Sequence, residues 1–264
     1  MKHSRGEHHD RVHRTRRADS PCDRRIARNR LAIAEELTRS GVTVVMTARK
    51  DDALQQAVNS LTDGKAIGIA GKADDPEHRR QVLDTIAERF GRLDILINNA
   101  GINPVYGKLV DLEMAAVEKV LSVNLLSTLA WTQAAYHHEG LKFRENRGRV
   151  VNLSSVAGAT PSPNLGLYGV SKAAVNHLTT TLGAELGPEV RVNAIAPAVV
   201  KTQFSEALYA EGEDKVAQQY PLKRLGTPED IAHTVVFLVS DSSSWITSQV
   251  ITLDGGLLSN GGRA

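Results

Sequence analysis

The sequence predicts an α/β fold in which one parallel sheet lies between two layers of helices. From Leu31 onward, short β-branched segments such as Val42–Thr47 alternate with segments whose apolar residues recur at helical spacing. Strands separated by helices of this length pair in parallel, because the crossover helix carries the chain from the carboxyl end of one strand back to the amino end of the next. The two observations indicate a three-layer, doubly wound parallel sheet of the Rossmann type.

No linker or internal repeat divides this part of the chain, so we assign residues 31–264 to a single domain. The short runs rich in Val, Ile and Ala predict strands at Val42–Thr47, Ala66–Ala70, Leu93–Asn98, Arg149–Leu153, Val190–Ala196 and Val250–Leu253. The longer runs with helical periodicity predict helices at Leu31–Leu37, Asp51–Leu61, Asp75–Phe90, Met114–His137, Tyr168–Leu186 and Pro228–Val239.

The composition is that of a globular protein, with 264 residues of which 41% are hydrophobic and 23% are charged. Cys22 is the only cysteine, which excludes an internal disulfide and is typical of a reducing compartment. No apolar run approaches the ~18 residues of a membrane span, and the amino terminus lacks the apolar core of a secretory signal. We therefore expect a cytoplasmic protein that does not cross a membrane.

Residues 1–30 differ from the rest of the chain. They hold ten Lys/Arg against four Asp/Glu, whereas the remainder carries a small excess of acidic residues. A doubly wound domain begins with an apolar inner strand and a glycine-rich turn whose amides hold phosphate. This segment contains Arg24 and Arg25 and has no glycine between Gly6 and Gly41. We predict that the first strand and the glycine loop are lost, because an inner strand cannot bury unpaired charges.

The genetic code suggests how the segment arose. With one choice of synonymous codons, residues 23–30 read one base later give Thr-Gly-Gly-Ser-Arg-Gly-Ile-Gly, and residues 19–22 give Thr-Ala-Leu-Val. This is the apolar strand and glycine loop that a dinucleotide-binding domain requires. We infer that residues 1–30 are largely an out-of-frame translation of such a start.

Three other interpretations of the segment are open. A basic tail could bind nucleic acid, but it lacks interleaved aromatic residues and helical periodicity, so we do not expect nucleic-acid binding. An Arg-rich transit peptide is contradicted by the four acidic residues. A disordered, solvated tail would leave the missing strand unexplained.

Tyr168 and Lys172 stand four residues apart in a predicted helix, so their side chains project from one face. An ammonium beside a phenol favours the ionised phenol, whose ordinary pKa is about 10. We therefore expect Tyr168 to exchange a proton near neutral pH. Ser155 precedes that helix and offers a hydroxyl to a substrate oxygen. The three side chains predict a site that protonates or deprotonates a carbonyl or alcohol oxygen.

Taken alone, a tyrosine–lysine pair at this spacing is more often an exposed pair on a helix than a catalytic pair. The other motifs of the chain decide between the two interpretations. Four of them follow in order: Asn98-Asn-Ala-Gly after an apolar run, Asn124 within Val-Asn-Leu, Asn193-Ala-Ile-Ala-Pro, and Asp254-Gly-Gly. This ordered set resembles the short-chain dehydrogenase/reductase family over essentially everything from Leu31 to the end.

The resemblance implies an NAD(P)-dependent oxidoreductase that transfers a hydride to or from a nicotinamide ring. Tyr168 would be the general acid in reduction and the general base in oxidation. Lys172 would bond the nicotinamide ribose and lower the pKa of the tyrosine. Ser155 would hold the substrate oxygen, and Asn124 would anchor a water that relays protons from the lysine to solvent.

The resemblance also implies cofactor contacts in two other segments. Asn98 and Ala100 would line the adenosine ribose, and part of their motif's role would be to stabilise the sheet. Val200 would meet the nicotinamide amide through its backbone, and Thr202 through its hydroxyl. Ala198 stands where the family usually has glycine, so a left-handed backbone there would be strained.

The residue just after the second strand of such a domain determines whether it prefers NADP or NAD. An acidic residue there binds the ribose of NAD, whereas a basic residue accommodates the phosphate of NADP. This chain has Thr47-Ala-Arg49-Lys50 and no acidic residue at that place. We expect Arg49 to bind the phosphate of NADP; the alternative is a solvated loop arginine.

The candidate substrate walls are Asn103–Tyr106, Ala157–Leu167 and Gln203–Tyr220, which mix aromatic, apolar and polar side chains. They indicate a moderately apolar ketone or secondary alcohol. Short matches around these walls resemble NADPH-dependent carbonyl and retinal reductases, with 3-oxoacyl-carrier-protein reductases as the near alternative. The resemblance also implies a homodimer or homotetramer. The alternative to an active enzyme is an impaired or inactive relative that lacks the phosphate-binding loop.

Overall fold

A computed structural model describes residues 28–61, 64–210 and 212–262. The six strands of these residues are β1 (Val44–Ala48), β2 (Ala66–Ala70), β3 (Ile95–Asn98), β4 (Arg149–Leu153), β5 (Arg191–Pro197) and β6 (Val250–Leu253). The helices are α1 (Arg28–Arg39), α2 (Asp51–Ser60), α3 (Pro76–Phe90), α4 (Met114–Leu121), α5 (Ser127–His137), α6 (Gly166–Glu185), α7 (Glu213–Ala217) and α8 (Pro228–Val239).

All strand pairs in this part of the chain are parallel, and they form two sheets. One sheet pairs β1 with β2, and the other has the order β3-β4-β5-β6. Helices α1 and α8 pack on one face, around Ile33, Leu37 and Val235, and α3, α5 and α6 cover the other face. The predicted three-layer, doubly wound α/β fold is confirmed.

Between β1 and β3, the described residues place no strand. This is where the first strand of a doubly wound sheet belongs, since β1 and β3 each have a parallel partner on their other side. The predictions for residues 1–27, including the out-of-frame translation, lie outside the described residues.

The predicted element boundaries hold to within three residues. The main difference is α1, which begins at Arg28 instead of Leu31. Its first turn is held to the sheet because Arg30 Nη1 donates to the carbonyl oxygen of Thr47 at 2.8 Å. The segment 203–217, predicted only as a substrate wall, contains a 3₁₀ helix at Gln203–Leu208 and the short helix α7.

Local sequence explains where several helices begin and end. Asp75 caps α3 by accepting from the Glu77 amide, and Gly91 ends the helix in the left-handed conformation that glycine favours. Thr227 and Asp230 form a reciprocal capping box at the start of α8. Across the described ranges, no helix combines the length and the apolar character needed to cross a bilayer.

Candidate active site

A cleft of about 1340 Å³ opens at the carboxyl ends of the strands and continues down between β1 and β3. In doubly wound sheets, ligands bind at this edge. The cleft is lined by most of the residues predicted to form the site: Arg49, Asn98, Ala100, Ser155, Tyr168, Lys172, Val200 and Thr202. The fold therefore brings together side chains that are up to 153 positions apart in the sequence.

Ser155 and Tyr168 meet across the cleft at the start of α6. Ser155 follows β4, and its hydroxyl accepts from the Ala157 amide at 3.2 Å. The same hydroxyl interacts with the phenol of Tyr168. On its other side, the Tyr168 ring packs against Phe204, with 5.8 Å between the ring centres. The phenol is thus placed beside a hydroxyl and against an apolar wall, where a substrate oxygen can reach both polar groups.

Lys172 is buried one helical turn below Tyr168. Its Nζ atom lies 5.6 Å from the centre of the tyrosine ring and donates to the carbonyl oxygen of Leu153 at 2.7 Å. A Cβ atom added to Gly101 would come within 3.4 Å of that Nζ atom. The glycine of the Asn98-Asn-Ala-Gly motif thereby leaves room for the lysine head group.

The expected acidification of Tyr168 is wrong for this arrangement. Burial raises the pKa of Tyr168 to about 12, and the Ser155 hydroxyl only partly offsets this increase. Burial also lowers the pKa of Lys172 to about 8. The spacing of the two residues indicates only the nearby charge of the lysine, whereas the fold also removes both groups from water, which opposes the charged form of the phenol and of the amine alike.

Asn124 lies in a single π-helical turn, Ser122–Leu126, that joins α4 to α5. The side chain is completely buried. Its Oδ1 atom accepts from the Ile102 amide at 2.8 Å, and its Nδ2 atom donates to the Ile102 carbonyl and the Ser171 hydroxyl, both at 3.0 Å. Asn124 therefore fixes the loop after β3 against α6. Its predicted role in holding a water stays a prediction.

Asn98 is mainly part of the sheet interior. Its Nδ2 atom donates to Asn152 Oδ1 at 2.9 Å, and Asn152 in turn donates to the Thr179 hydroxyl at 2.9 Å. The chain of hydrogen bonds ties β3 to β4 and β4 to α6. Ala100 lines the cleft two residues further on. The expectation that the motif partly stabilises the sheet agrees with this geometry.

Asn152→Ala is expected to lower the free energy of unfolding by about 2 kcal/mol, because the buried side chains of Asn98 and Thr179 each lose one of their hydrogen bonds. Urea denaturation followed by circular dichroism measures the change. Asn59→Ala, an exposed position on α2, is the matched control and should change stability by less than about 0.5 kcal/mol. Equal stability of the two variants would contradict the assigned role of the network.

Arg49 and Arg30 form a pair of cations at the carboxyl end of β1. Both side chains line the cleft. Burial lowers the pKa of Arg30, and the nearby charge of Arg49 lowers it further. The ion pairs found within the described residues include neither of them. Two close guanidinium groups without a carboxylate partner are suited to a phosphate dianion.

Val200 and Thr202 follow β5 on the far side of the cleft. The Val200 carbonyl accepts from the Thr202 amide at 2.7 Å, and the Thr202 hydroxyl pairs with Ser205 at 3.0 Å. The buried Thr202 hydroxyl is thus held in a fixed position. Ala198 is absent from the described non-glycine residues with positive φ, so the strain considered for this position does not arise.

Two residues of the site were missed by sequence reasoning. Arg30 was assigned to the out-of-frame segment, and only the structure shows that it faces Arg49. Ser171 is buried on α6 and links Asn124 to the Tyr168 carbonyl, to which it donates at 2.7 Å. A serine directly before Lys172 was the available signal, but serine is too common in helices for that position to indicate a role.

Comparison with known proteins gives consistent matches. Residues 28–258 match a family model described as enoyl-(acyl carrier protein) reductase. The chain is 37% identical over 234 residues to dehydrogenase/reductase SDR family member 4 of Mus musculus, a match that covers 85% of this chain and 81% of that protein.

Two solved structures are also similar. ElxO with NADP bound has a TM-score of 0.78 and 30% sequence identity, and the match covers 86% of this chain and 93% of the other. A variant of actinorhodin polyketide ketoreductase with NADPH has a TM-score of 0.82 and 26% identity, with coverage of 88% and 93%.

Proposed function

This chain belongs to the short-chain dehydrogenase/reductase family of NAD(P)-dependent oxidoreductases, and on that premise we propose that its site interconverts a ketone and a secondary alcohol with NADP(H). The observation that carries the proposal is the placement of the Tyr168 phenol beside the Ser155 hydroxyl, above a buried Lys172 at the rim of the cleft. Two hydroxyl groups that converge on one point can bind and protonate a single carbonyl oxygen.

In the proposed reduction, the Ser155 hydroxyl donates a hydrogen bond to the substrate carbonyl and orients it. Tyr168 donates its proton to the same oxygen as negative charge develops there, and it accepts the proton back in the oxidation. Lys172 holds a positive charge near the phenol, which favours the ionised phenol that is left after proton transfer. The nicotinamide ring, when bound, supplies or accepts the hydride.

The described residues fit parts of NADP well. Arg49 would hold the phosphate on the adenosine ribose, since no carboxylate partner for it lies among the described residues. Arg30 stands beside it in the unaltered chain, and in the frame-restored variant defined below, where glycine replaces Arg30, the arginine of the restored turn would take its place. Ala100 and Asn98 would lie near the adenosine ribose, and Val200 and Thr202 near the nicotinamide amide. The binding of NADP and NADPH by the two similar solved structures supports the same cofactor.

The substrate is proposed to be a moderately apolar ketone or secondary alcohol. Phe204 and Leu208, on the 3₁₀ helix after Thr202, line the cleft and are more than two-fifths exposed. Phe204 also covers one side of Tyr168. An apolar group next to the reacting carbon would therefore be covered by this wall. This apolar wall suits the substrates of a carbonyl reductase. The alternative activity is the reduction of carrier-bound 3-oxoacyl groups.

A second candidate function is an impaired relative of such enzymes. The observation that favours it is the lack of a described strand between β1 and β3, together with Arg28 and Arg30 in the first turn of α1. A phosphate-binding turn uses glycine there, because its backbone must approach the diphosphate closely. We propose that the chain binds NADPH poorly and that a chain with the turn restored binds it well.

We expect calorimetric titration with NADPH to separate the two candidates. The frame-restored variant, in which residues 19–30 are replaced by Thr-Ala-Leu-Val-Thr-Gly-Gly-Ser-Arg-Gly-Ile-Gly, should bind with a micromolar dissociation constant. The chain with its own residues 19–30 should bind about 100-fold more weakly, a difference of ~2.7 kcal/mol. Micromolar binding by the unaltered chain would overturn the proposed impairment.

Arg49→Ala, made in the frame-restored variant, supplies the control for cofactor choice. It should weaken the binding of NADPH about tenfold or more and change the binding of NADH by less than about threefold, because only the phosphate of NADPH loses a charge-assisted hydrogen bond. Lys108→Ala, at an exposed position outside the cleft, should leave the affinities for NADPH and NADH unchanged. Equal losses for the two cofactors would contradict the assignment of Arg49.

We also propose a cytoplasmic homodimer or homotetramer. The helix that runs through α4 and α5, and helix α6, would form the main contact. Met114, Leu126 and Val170 leave more than half of their surface exposed on these helices, and exposed apolar patches often mark protein interfaces.

A further inference from the structure

The loop after β5, residues 198–202, is where the proposed function places the nicotinamide amide, and we name it the β5 loop. The Val199 carbonyl in this loop accepts from the Gly226 amide at 3.0 Å. Because a peptide unit is planar and trans, the Val200 amide points away from Gly226. No acceptor for the Val200 amide lies among the described residues. An oxygen atom of a bound ligand can therefore take that place.

The amide on the other side of Val199 is held by a side chain. It donates to the phenol oxygen of Tyr220 at 3.3 Å. Tyr220 lines the cleft and is only 2% exposed. Burial raises the pKa of the Tyr220 phenol, so the group stays neutral near pH 7 and bonds the amide through a lone pair of its oxygen. The reaction proposed above gives this second phenol of the cleft no role.

Tyr220 is held in turn by the Asp254-Gly-Gly motif, which forms a tight turn after β6. The two carboxylate oxygens of Asp254 accept from the Gly256 and Leu258 amides, both at 2.9 Å. Gly255 has a φ of 56°, in the left-handed region that glycine favours. A Cβ atom at this glycine would lie 3.4 Å from the Tyr220 ring. The motif thus places its backbone directly against the tyrosine and supports the ring from behind.

A second tyrosine bonds the other end of the β5 loop, and the comparison shows what is particular to Tyr220. The Tyr209 phenol donates to the Thr202 carbonyl at 3.3 Å. That carbonyl also accepts from the Ser205 amide at 3.2 Å, so it would stay bonded without Tyr209. Within the described residues, the Val199 amide has Tyr220 as its only acceptor. Loss of the Tyr220 oxygen would leave a backbone donor unpaired, and the peptide unit would have to move to find another acceptor.

We propose that Tyr220 is a positioning residue for the nicotinamide: its phenol oxygen fixes the Val199 amide and thereby directs the free Val200 amide toward the carboxamide oxygen of the bound ring. Tyr220 acts through the backbone and is not itself a catalytic residue. This inference rests on the proposed function, because it takes the β5 loop as the nicotinamide site. The orientation of the carboxamide sets how the ring carbon faces the substrate, so a looser β5 loop would slow hydride transfer.

Amide hydrogen exchange of the unaltered chain tests the contact itself. In Tyr220→Phe the ring keeps its packing but the acceptor is gone, so the Val199 amide should exchange at least about fivefold faster than in the parent. The Ala198 amide, which donates to the Leu253 carbonyl at 3.0 Å, should exchange at the parent rate and reports that the fold is intact. Equal exchange of the Val199 amide in the two chains would overturn the proposal.

Cofactor titrations in the frame-restored variant test the consequence. Tyr220→Phe should weaken the binding of NADPH about fivefold, the effect of one hydrogen bond. It should change the binding of 2′-phosphoadenosine diphosphoribose, which lacks the nicotinamide, by less than about twofold. The maximal rate with an apolar ketone should fall about tenfold, and the KM for the ketone should stay within about twofold. Tyr136→Phe, which removes a phenol that bonds Glu189 at the surface, is the control and should match the parent throughout.

Two results would contradict the assigned role. Equal losses of affinity for NADPH and for the nicotinamide-free analogue would indicate a general distortion of the cleft. A loss confined to the KM for the ketone would indicate that Tyr220 contacts the substrate directly. A parent that binds NADPH but reduces no ketone would refute the proposed reaction, whereas the exchange and binding measurements would still decide the role of Tyr220.

Discussion

Replacing Tyr168 with phenylalanine is expected to reduce turnover about a thousandfold, which is within the range for the loss of a general acid. The ring would keep its packing against Phe204, so the site should stay folded, but no proton could reach the substrate oxygen from this position. The measurement is the rate of NADPH oxidation with an apolar ketone in the frame-restored variant defined above.

Two controls make the result specific. NADPH affinity should fall by about tenfold at most, the effect of one hydrogen bond, so the loss must appear in the maximal rate. Tyr136→Phe removes another phenol, one that bonds Glu189 at the surface, and should leave the rate unchanged. A Tyr168→Phe variant that retains more than about a tenth of the activity would show that Tyr168 is not the general acid.

Lys172→Met is expected to make unfolding less dependent on pH between 7 and 9.5. The pKa of Lys172 in the folded chain is about 8, below the ordinary 10.5 of an unfolded lysine. Between these values the unfolded chain binds a proton that the folded chain has released, so stability rises with pH. Below about pH 8 the folded chain carries the full penalty of the buried ammonium.

That penalty sets the size of the effect. A difference of 2.5 pKa units corresponds to about 3 kcal/mol at low pH. The stability of the methionine variant relative to the parent should therefore fall by about 2 kcal/mol between pH 7 and pH 9.5, measured by urea denaturation at both pH values. Lys108→Met, at an exposed position, should show no such change. A constant difference would mean that Lys172 is not buried as a charge.

The strands and helices were largely predictable because each carries a local signal. β4 is a short run with two adjacent valines that begins after Arg147-Gly148 and ends before Ser154, and α8 begins with a Thr-Pro-Glu-Asp cap whose chemistry is visible in the sequence. The cluster of Ser155, Tyr168 and Lys172 was also predictable, since all three lie close in sequence on one strand–helix unit.

Other properties depend on contacts that no local pattern encodes. The direction of the Tyr168 pKa shift follows from burial by several elements, and the neighbouring lysine alone pointed the wrong way. Arg30 meets Arg49 only because α1 packs against the end of β1. The hydrogen bonds of Asn124 reach Ile102 and Ser171, 22 and 47 positions away, so its contribution to the loop after β3 had no sequence signature.

The π-helical turn at Ser122–Leu126 marks the place where this helix can change in length. One wide turn holds an additional residue there, so a one-residue deletion within it would leave an ordinary α-helical turn and keep the orientation of α5. A deletion between this turn and Trp131 has no wide turn to absorb it and would rotate the rest of α5 by about 100°. Trp131 would then lose the hydrogen bond that its indole donates to the Ala73 carbonyl at 2.9 Å, so single-residue deletions should be tolerated in the wide turn and excluded from α5.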